Sequence, residues 1–349
     1  LLLTTSKSLR IMVNLHIHQP SYKVGLSMEV RKVQESAGTL FISLPKNWVV
    51  RNNVSKGARL TVIERGDGSL TVTPGYKIGK VTQTASVQLS PFLEREITSK
   101  YWLGYDVITV ESKERLRLED LERIKAVVRR LIGLEIVEED ARTVQLQCLL
   151  EPSAFPPEKI LRREYLLVAS MQRDLVTCLL EVDPHLAETI IERDDEVDRL
   201  YFLLVRVLRT LIQHPALSEE LHFSPINCLD YRLVASFVES IADQLVTITQ
   251  HLLPRLSTIP ENVRIEFKET FPAVLKLHED AIHAFLSKDY KLANNVRELR
   301  GSILRRVKDT EIRIAQLPLE EFIYLATVLS ALTKTVDYSV DIADMVIPS

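Results

Sequence analysis

The chain has 349 residues, 46% of them hydrophobic and 26% charged, with only 10 glycines; this excludes collagen-like, low-complexity and wholly disordered classes and suggests two or three domains of roughly 100–200 residues. The net charge of −3 is unevenly spread: residues 1–28 contribute +3, residues 29–80 contribute +5, and −11 is left for residues 81–349. A basic N-terminal unit on an acidic body suits nucleic-acid contact at one end and cation binding at the other, while solvated faces of opposite sign would give the same distribution.

Cys148, Cys178 and Cys228 are widely separated and odd in number, which supports neither a disulfide framework nor a zinc ribbon and points to reduced, buried thiols in a cytoplasmic protein. No stretch reaches the roughly 18 consecutive apolar residues of a membrane span. Residues 1–27 open on Leu1, lack periodicity and show no signal-peptide pattern; they are expected to form a poorly ordered tail ahead of Met28.

From Val30 to about residue 80 the pattern is that of strands. Thr39 to Pro45, Ala58 to Glu64 and Ser69 to Thr73 alternate, and Gly66-Asp67-Gly68 between the last two is hairpin turn chemistry. Pro45-Lys46-Asn47-Trp48-Val49-Val50 reads as a short helix with proline in its first turn. A unit this small cannot bury a core alone and needs a partner chain or the rest of the protein.

The run Gly38-Thr39-Leu40-Phe41-Ile42-Ser43-Leu44-Pro45-Lys46-Asn47-Trp48, with Val54-Ser55-Lys56-Gly57-Ala58 and the hairpin that follows, resembles the swapped-hairpin AbrB/MazE/SpoVT DNA-binding family. The resemblance implies that two chains interleave their hairpins into one barrel-like homodimer whose basic face contacts DNA. Arg31, Lys32, Lys46, Arg51 and Lys56 are the candidate DNA-binding residues by position; a barrel used only for dimerisation, with solvated lysines, is the plainer reading.

Residues 81–151 read as a small α/β module of βαβαβ pattern: strand Ala85–Leu89, helix Pro91–Leu103, strand Asp106–Val110, helix Leu118–Leu131 and strand Thr143–Leu149. Gly104 and Gly133 follow apolar helical runs and read as helix stops, and no glycine-rich phosphate loop is present. The module is expected to connect and orient its neighbours.

Residues 152–349 read as all-α, with breaks at Pro184, Pro215, Pro225, Pro254, Pro260, Pro318 and Ser287-Lys288-Asp289, and with Pro272 kinking the fourth helix. About six helices of roughly 20 to 30 residues result, dividing into two repeats of three at about 158–253 and 262–347. The multidomain expectation is therefore a tail (1–27), a β-rich swapped-hairpin unit (28–80), an α/β module (81–151) and a helical pair of three-helix bundles (152–349).

In the first repeat Asp194 and Asp198 are four residues apart on the second helix, and Glu239 and Asp243 repeat that spacing on the third. Each pair lies on one helix face, and two pairs on adjacent helices can converge into an oxygen-rich site for a divalent metal or iron cluster. One such pair alone is more often a solvated face. The arrangement resembles the PhoU family, in which two three-helix bundles carry E/D-x-x-x-D motifs that bind metal clusters. In the second repeat Asp337 and Asp341 lie on the last helix, but Thr333, Ala293 and Arg297 stand where acids are expected, which puts a second site in doubt. The order of a swapped-hairpin unit before such a domain resembles the archaeal PhoU-domain regulators, and implies phosphate-transport ATPase or signalling proteins as partners.

No HExxH, G-x-S-x-G, Walker or dinucleotide fingerprint is present, which argues against an enzyme. His278, with Asp280 or His283, could assist a metal, although exposed helix positions are the expected reading for these histidines. Trp48 and Trp102 read as packing anchors. Three functions remain from the sequence: a DNA-binding phosphate-uptake regulator, an accessory protein acting only through protein contacts, and a carboxylate-bridged metalloenzyme.

Overall fold

The computed structural model describes residues 29–64, 68–75 and 82–347. They fall into two compact units, one within residues 1–78 and the other within 79–349. The expected tail at 1–27, most of the Gly66-Asp67-Gly68 turn and the expected boundary at 80 and 81 lie outside the described residues.

In the N-terminal unit β1 (Gln34–Ser36) and β2 (Thr39–Phe41) form an antiparallel hairpin. Its two turn residues, Ala37 and Gly38, both have positive φ, 51° and 79°, the conformation that matches the right-handed twist of paired strands. The strand expected to continue to Pro45 ends at Phe41, because β1 supplies partners only that far. Helix α1 (Lys46–Arg51) follows Pro45, and β3 (Leu60–Glu64) pairs antiparallel with β4 (Leu70–Pro74) in the expected hairpin. No described residue from 29 to 75 is buried. Leu40, Ile42, Val50, Val62 and Leu70 are all more than half exposed, so these strands have an apolar pattern without a core to match it.

The second unit begins with a four-stranded sheet. β5 (Thr84–Gln88) runs parallel to β6 (Val107–Glu111) through α2 (Leu93–Trp102); α3 (Leu118–Arg130) leads to β7 (Leu134–Glu139), which pairs with β8 (Thr143–Cys148). The spatial order is β5-β6-β8-β7. The sequence pattern therefore lacked one strand: the module is βαβαββ. β7 escapes because it is an edge strand rich in acids, and a register shift between Ile136 and Glu138 breaks its alternation. Gly133, at φ +76° just past α3, and Gly104, at φ +87° just past α2, are the expected stops.

Helices α2 and α3 contact both the sheet and the long helix α5 (Pro184–Gln213). The joint is made by Arg206 of α5, only 2% exposed. Its guanidinium donates to the carbonyls of Tyr101 at 2.7 Å, Tyr105 at 2.9 Å and Gly104 at 3.3 Å, meeting the carbonyl end of α2, and lies 3.6 Å from Asp106. Trp102 packs edge-on against Phe202, with ring centroids 5.4 Å apart, the anchoring expected of it.

Six long helices build the remainder: α4 (Pro157–Glu181), α5, α7 (Pro225–Leu252), α8 (Glu261–Ser287), α9 (Tyr290–Ile314) and α10 (Leu319–Asp344), with a short α6 (Pro215–Glu220) after α5. Proline stands at the first position of α4, α5, α6 and α7, and just ahead of α8 and α10, where its missing N–H costs nothing. Asp183, Ser224 and Asp289 cap α5, α7 and α9, each accepting first-turn N–H bonds. Pro272 lies inside α8.

α4, α5 and α7 pack as one three-helix bundle and α8, α9 and α10 as another. The bundles share a single apolar core, joined where α7 meets α10 and α4 meets α8. His278 belongs to this second seam. Against the expectation of an exposed position, it is fully buried, its Nδ1 is 3.0 Å from Gln172 Oε1 of α4, and it stacks edge-on against Tyr165. Burial lowers its pKa to about 3, so it is a neutral packing residue, remote in role from Asp280, which pairs with Lys276. All three cysteines are buried and free.

Candidate functional site

The four carboxylates singled out by spacing lie on α5 (Asp194, Asp198) and α7 (Glu239, Asp243), and these helices are packed neighbours. All four side chains are partly buried or lie in partly buried surroundings, and they act on one another electrostatically. Burial and then the neighbouring charges of Asp198 and Asp243 raise Asp194 to about 6; burial and then Asp243, Asp198 and Asp194 raise Glu239 to about 7. Asp243 is raised by burial and by Asp198. Asp198 is also raised by burial, opposed by Arg130 at the end of α3, which donates to its Oδ2 at 3.0 Å.

A fifth carboxylate, not anticipated from spacing, completes the group. Glu164 of α4 has no solvent exposure, and neither carboxylate oxygen has a hydrogen-bond partner. Burial, and next the charge of Glu239, push its pKa well up, with Arg232 opposing. A buried carboxyl group with both oxygens unmatched is costly, and its charge interacts with those of Glu239 and Asp198, which brings a third helix into the group of coupled acids. The donor set, five carboxylates and no thiol, suits a hard or borderline cation. As the side chains stand, however, no three acidic, histidine or cysteine groups among the described residues are arranged to hold one metal ion. Asp198 is instead engaged by Arg130, and a coordination sphere would need that carboxylate to turn.

The second bundle has solved the same problem internally. Ala293 is buried in α9, while Arg297 pairs with Asp344 and Arg300 bonds Asp337 at 2.7 Å. Asp341 is raised by burial and by Asp344 and Asp337, with Arg300 offsetting them. Guanidinium groups stand here beside the acids of α10, and α9 contributes no acid at the positions equivalent to Asp194 and Asp198.

The candidate DNA contacts sit in the N-terminal unit. Arg31 pairs with Glu29, whereas Lys32 makes no side-chain hydrogen bond or ion pair among the described residues. Lys46 and Arg51 are the first and last residues of α1, and Lys56 follows in the turn before β3. These cations lie on three separate segments of the unit, and Lys46, Arg51 and Lys56 likewise have no side-chain partner among the described residues.

Residues 161–252 match the model of the PhoU domain family, the stretch from α4 to α7 that contains all five carboxylates. Among solved structures, the chain is similar to PhoU from Pseudomonas aeruginosa, at 18% identity and TM-score 0.49, over 54% of this chain and 93% of that one. It is also similar to the phosphate transport system regulatory protein PhoU from Streptococcus pneumoniae, at 16% identity and TM-score 0.47, over 54% of this chain and 91% of that one. No curated protein matches the chain. Among the described residues, no helix is long and apolar enough to cross a membrane.

Proposed function

We propose that this chain is a regulator of phosphate uptake that binds DNA as a homodimer through its N-terminal unit and binds a cation and a protein partner through its helical half. The observation carrying this reading is the coincidence of the PhoU-domain match with the carboxylates of α4, α5 and α7. Glu164, Asp194, Asp198, Glu239 and Asp243 would hold the cation, whose charge would offset the mutual repulsion of these five acids. A phosphate-transport ATPase or signalling protein is the partner that the domain match favours, and regulation rather than catalysis is the role.

The swapped-hairpin reading of residues 28–80 is supported by the lack of any buried residue among those described from 29 to 75: a second copy would cover Leu40, Val62 and Leu70. The unpartnered Lys32, Lys46, Arg51 and Lys56 would then meet phosphates. That same lack of a core also favours a second reading, in which the unit serves dimerisation alone and the chain acts only through protein contacts.

Titration of duplex DNA from the region upstream of the chain's own coding sequence, across a salt series, separates the two. The first reading requires steep salt dependence that weakens by roughly one power of salt for each cation removed in Lys46→Ala with Arg51→Ala. Absence of salt-dependent binding, or an unchanged slope in the variant, leaves the dimerisation reading. For the helical half, divalent metal should raise the melting temperature of the wild type and do so less for Asp194→Asn with Asp243→Asn; an equal response in both would reject the cation site.

A further inference from the structure

A second concave site lies on α4 and α5, bordered by Ile132 just past α3 and by the segment leading into α4. It has a volume of about 510 Å³, within the range of small-molecule pockets. Its floor includes the buried Leu200 and Leu203, and Phe155 stands at its rim. Lys159 and Arg163, one turn apart on α4, and Arg199 of α5 face it together with a single acid, Glu196. None of these four makes a hydrogen bond or an ion pair through its side chain among the described residues. Glu196 leaves Arg199 unpaired despite standing three residues before it.

Three cations gathered against one carboxylate, with no internal partner, repel one another. The pocket also takes in the first turn of α4, whose N-terminus has no side-chain cap and adds the positive end of a 25-residue helix. We propose that this pocket binds a phosphate monoester carrying a flat apolar body, of the nucleoside monophosphate class. The net excess of two positive charges matches a phosphate dianion rather than a single carboxylate, and the arginine forks suit its oxygens. Leu200, Leu203 and Phe155 give the apolar body a surface that inorganic phosphate would leave unused. Glu196 has the chemistry to accept a hydrogen bond from a sugar hydroxyl, but it opposes the phosphate, so it lowers the affinity.

The site shares no residue with the carboxylate group and needs no metal, so it stands or falls apart from the cation site. Calorimetric titration of the full chain in chelator, with adenosine 5′-monophosphate, adenosine and inorganic phosphate, tests it. Saturable binding of the nucleotide is expected, about fivefold or more tighter than phosphate, with no saturation by adenosine. Lys159→Ala with Arg163→Ala should weaken the nucleotide about tenfold or more, Phe155→Ala should weaken the nucleotide but not phosphate, and Glu196→Gln should tighten it about threefold. The last change cannot arise from damage to the fold. The proposal is overturned by absence of saturable nucleotide binding, by equal affinity for the nucleotide and phosphate, or by a nucleotide affinity that these charge changes leave unaltered.

Discussion

Arg206 is a charge placed inside an apolar helix run, between Leu203, Leu204, Val205 and Val207, Leu208. Its partners are the carbonyls of Tyr101 at the end of α2 and of Gly104 and Tyr105 just past it, so its replacement strands the latter two and loosens the joint with α5. Arg206→Met should lower the unfolding free energy by about 3 kcal/mol, read from denaturant midpoints; a loss under about 1 kcal/mol would mean that the module is held by apolar contact alone. Gly133→Ala tests the same module at its turn. A Cβ there would stand 2.2 Å from Leu150 Cγ on a backbone of φ +76°, and a cost of about 2 kcal/mol is expected. The residues that spacing alone did not find share a legible signal. Glu164, Gln172, Arg206 and His278 occupy the same helical phase as their apolar neighbours: Glu164 falls between Leu161 and Val168, and His278 between Val274 and Ile282. Acid pairs at four-residue spacing announce a face, whereas a lone polar residue in the apolar phase announces a buried partner, and the partner's identity depends on which helices meet.

The α5 and α7 acids make pH the natural probe of their helices. Asp194 at about 6 and Glu239 at about 7 hold protons in the folded, cation-free bundle that the unfolded chain has already released above about pH 4 to 5. Their contribution is fully present below that range and is lost as pH rises through 6 and 7. In chelator, the melting temperature should therefore fall between pH 5 and 8, and Glu239→Gln should flatten the fall; an equally steep profile in the variant would detach Glu239 from it. On α10 the expectation is different. Arg300→Met removes a half-exposed pair and should cost under about 1 kcal/mol, while NMR titration should find Asp341 raised further, since Arg300 now offsets its neighbours. Helix boundaries here were readable because proline and Asp, Ser or Asp-like caps punctuate the chain at Pro184, Pro225 and Asp289. β7 was not, because edge position and a bulge remove the alternation on which a strand is recognised.

For the whole molecule, the contrast between its two units sets the expectation. The helical bundles share one continuous apolar core, while the described part of residues 29–75 buries nothing. In a chain acting alone, Leu40→Lys and Val62→Lys would alter exposed positions and change stability by about 0.5 kcal/mol or less. If a second copy covers them, both should shift sedimentation toward the single chain and weaken DNA binding along with it. Unaltered sedimentation in the double variant would place self-association elsewhere. Three-helix repeats could be inferred from the length and punctuation of the sequence; the shared core could not, since it depends on contacts such as Phe237 with Tyr338, stacked 6.1 Å apart across α7 and α10.

The paired arginines of α9 set the two bundles apart: Arg297 and Arg300 meet the acids of α10, whereas of Asp194, Asp198, Glu239 and Asp243 only Asp198 has an arginine partner among the described residues, Arg130 of α3. Such a molecule is chemically polarised although its architecture repeats. On the proposed cation site, changes of acidity or of dissolved cations should reach α5 and α7 and be damped at α9 and α10, where Arg297 and Arg300 already stand beside the acids. Amide hydrogen exchange should register this directly, with protection along α5 and α7 varying between pH 5 and 8 and on addition of divalent cation while protection along α9 and α10 stays level. One repeat then serves as the fixed frame against which the other can report its surroundings.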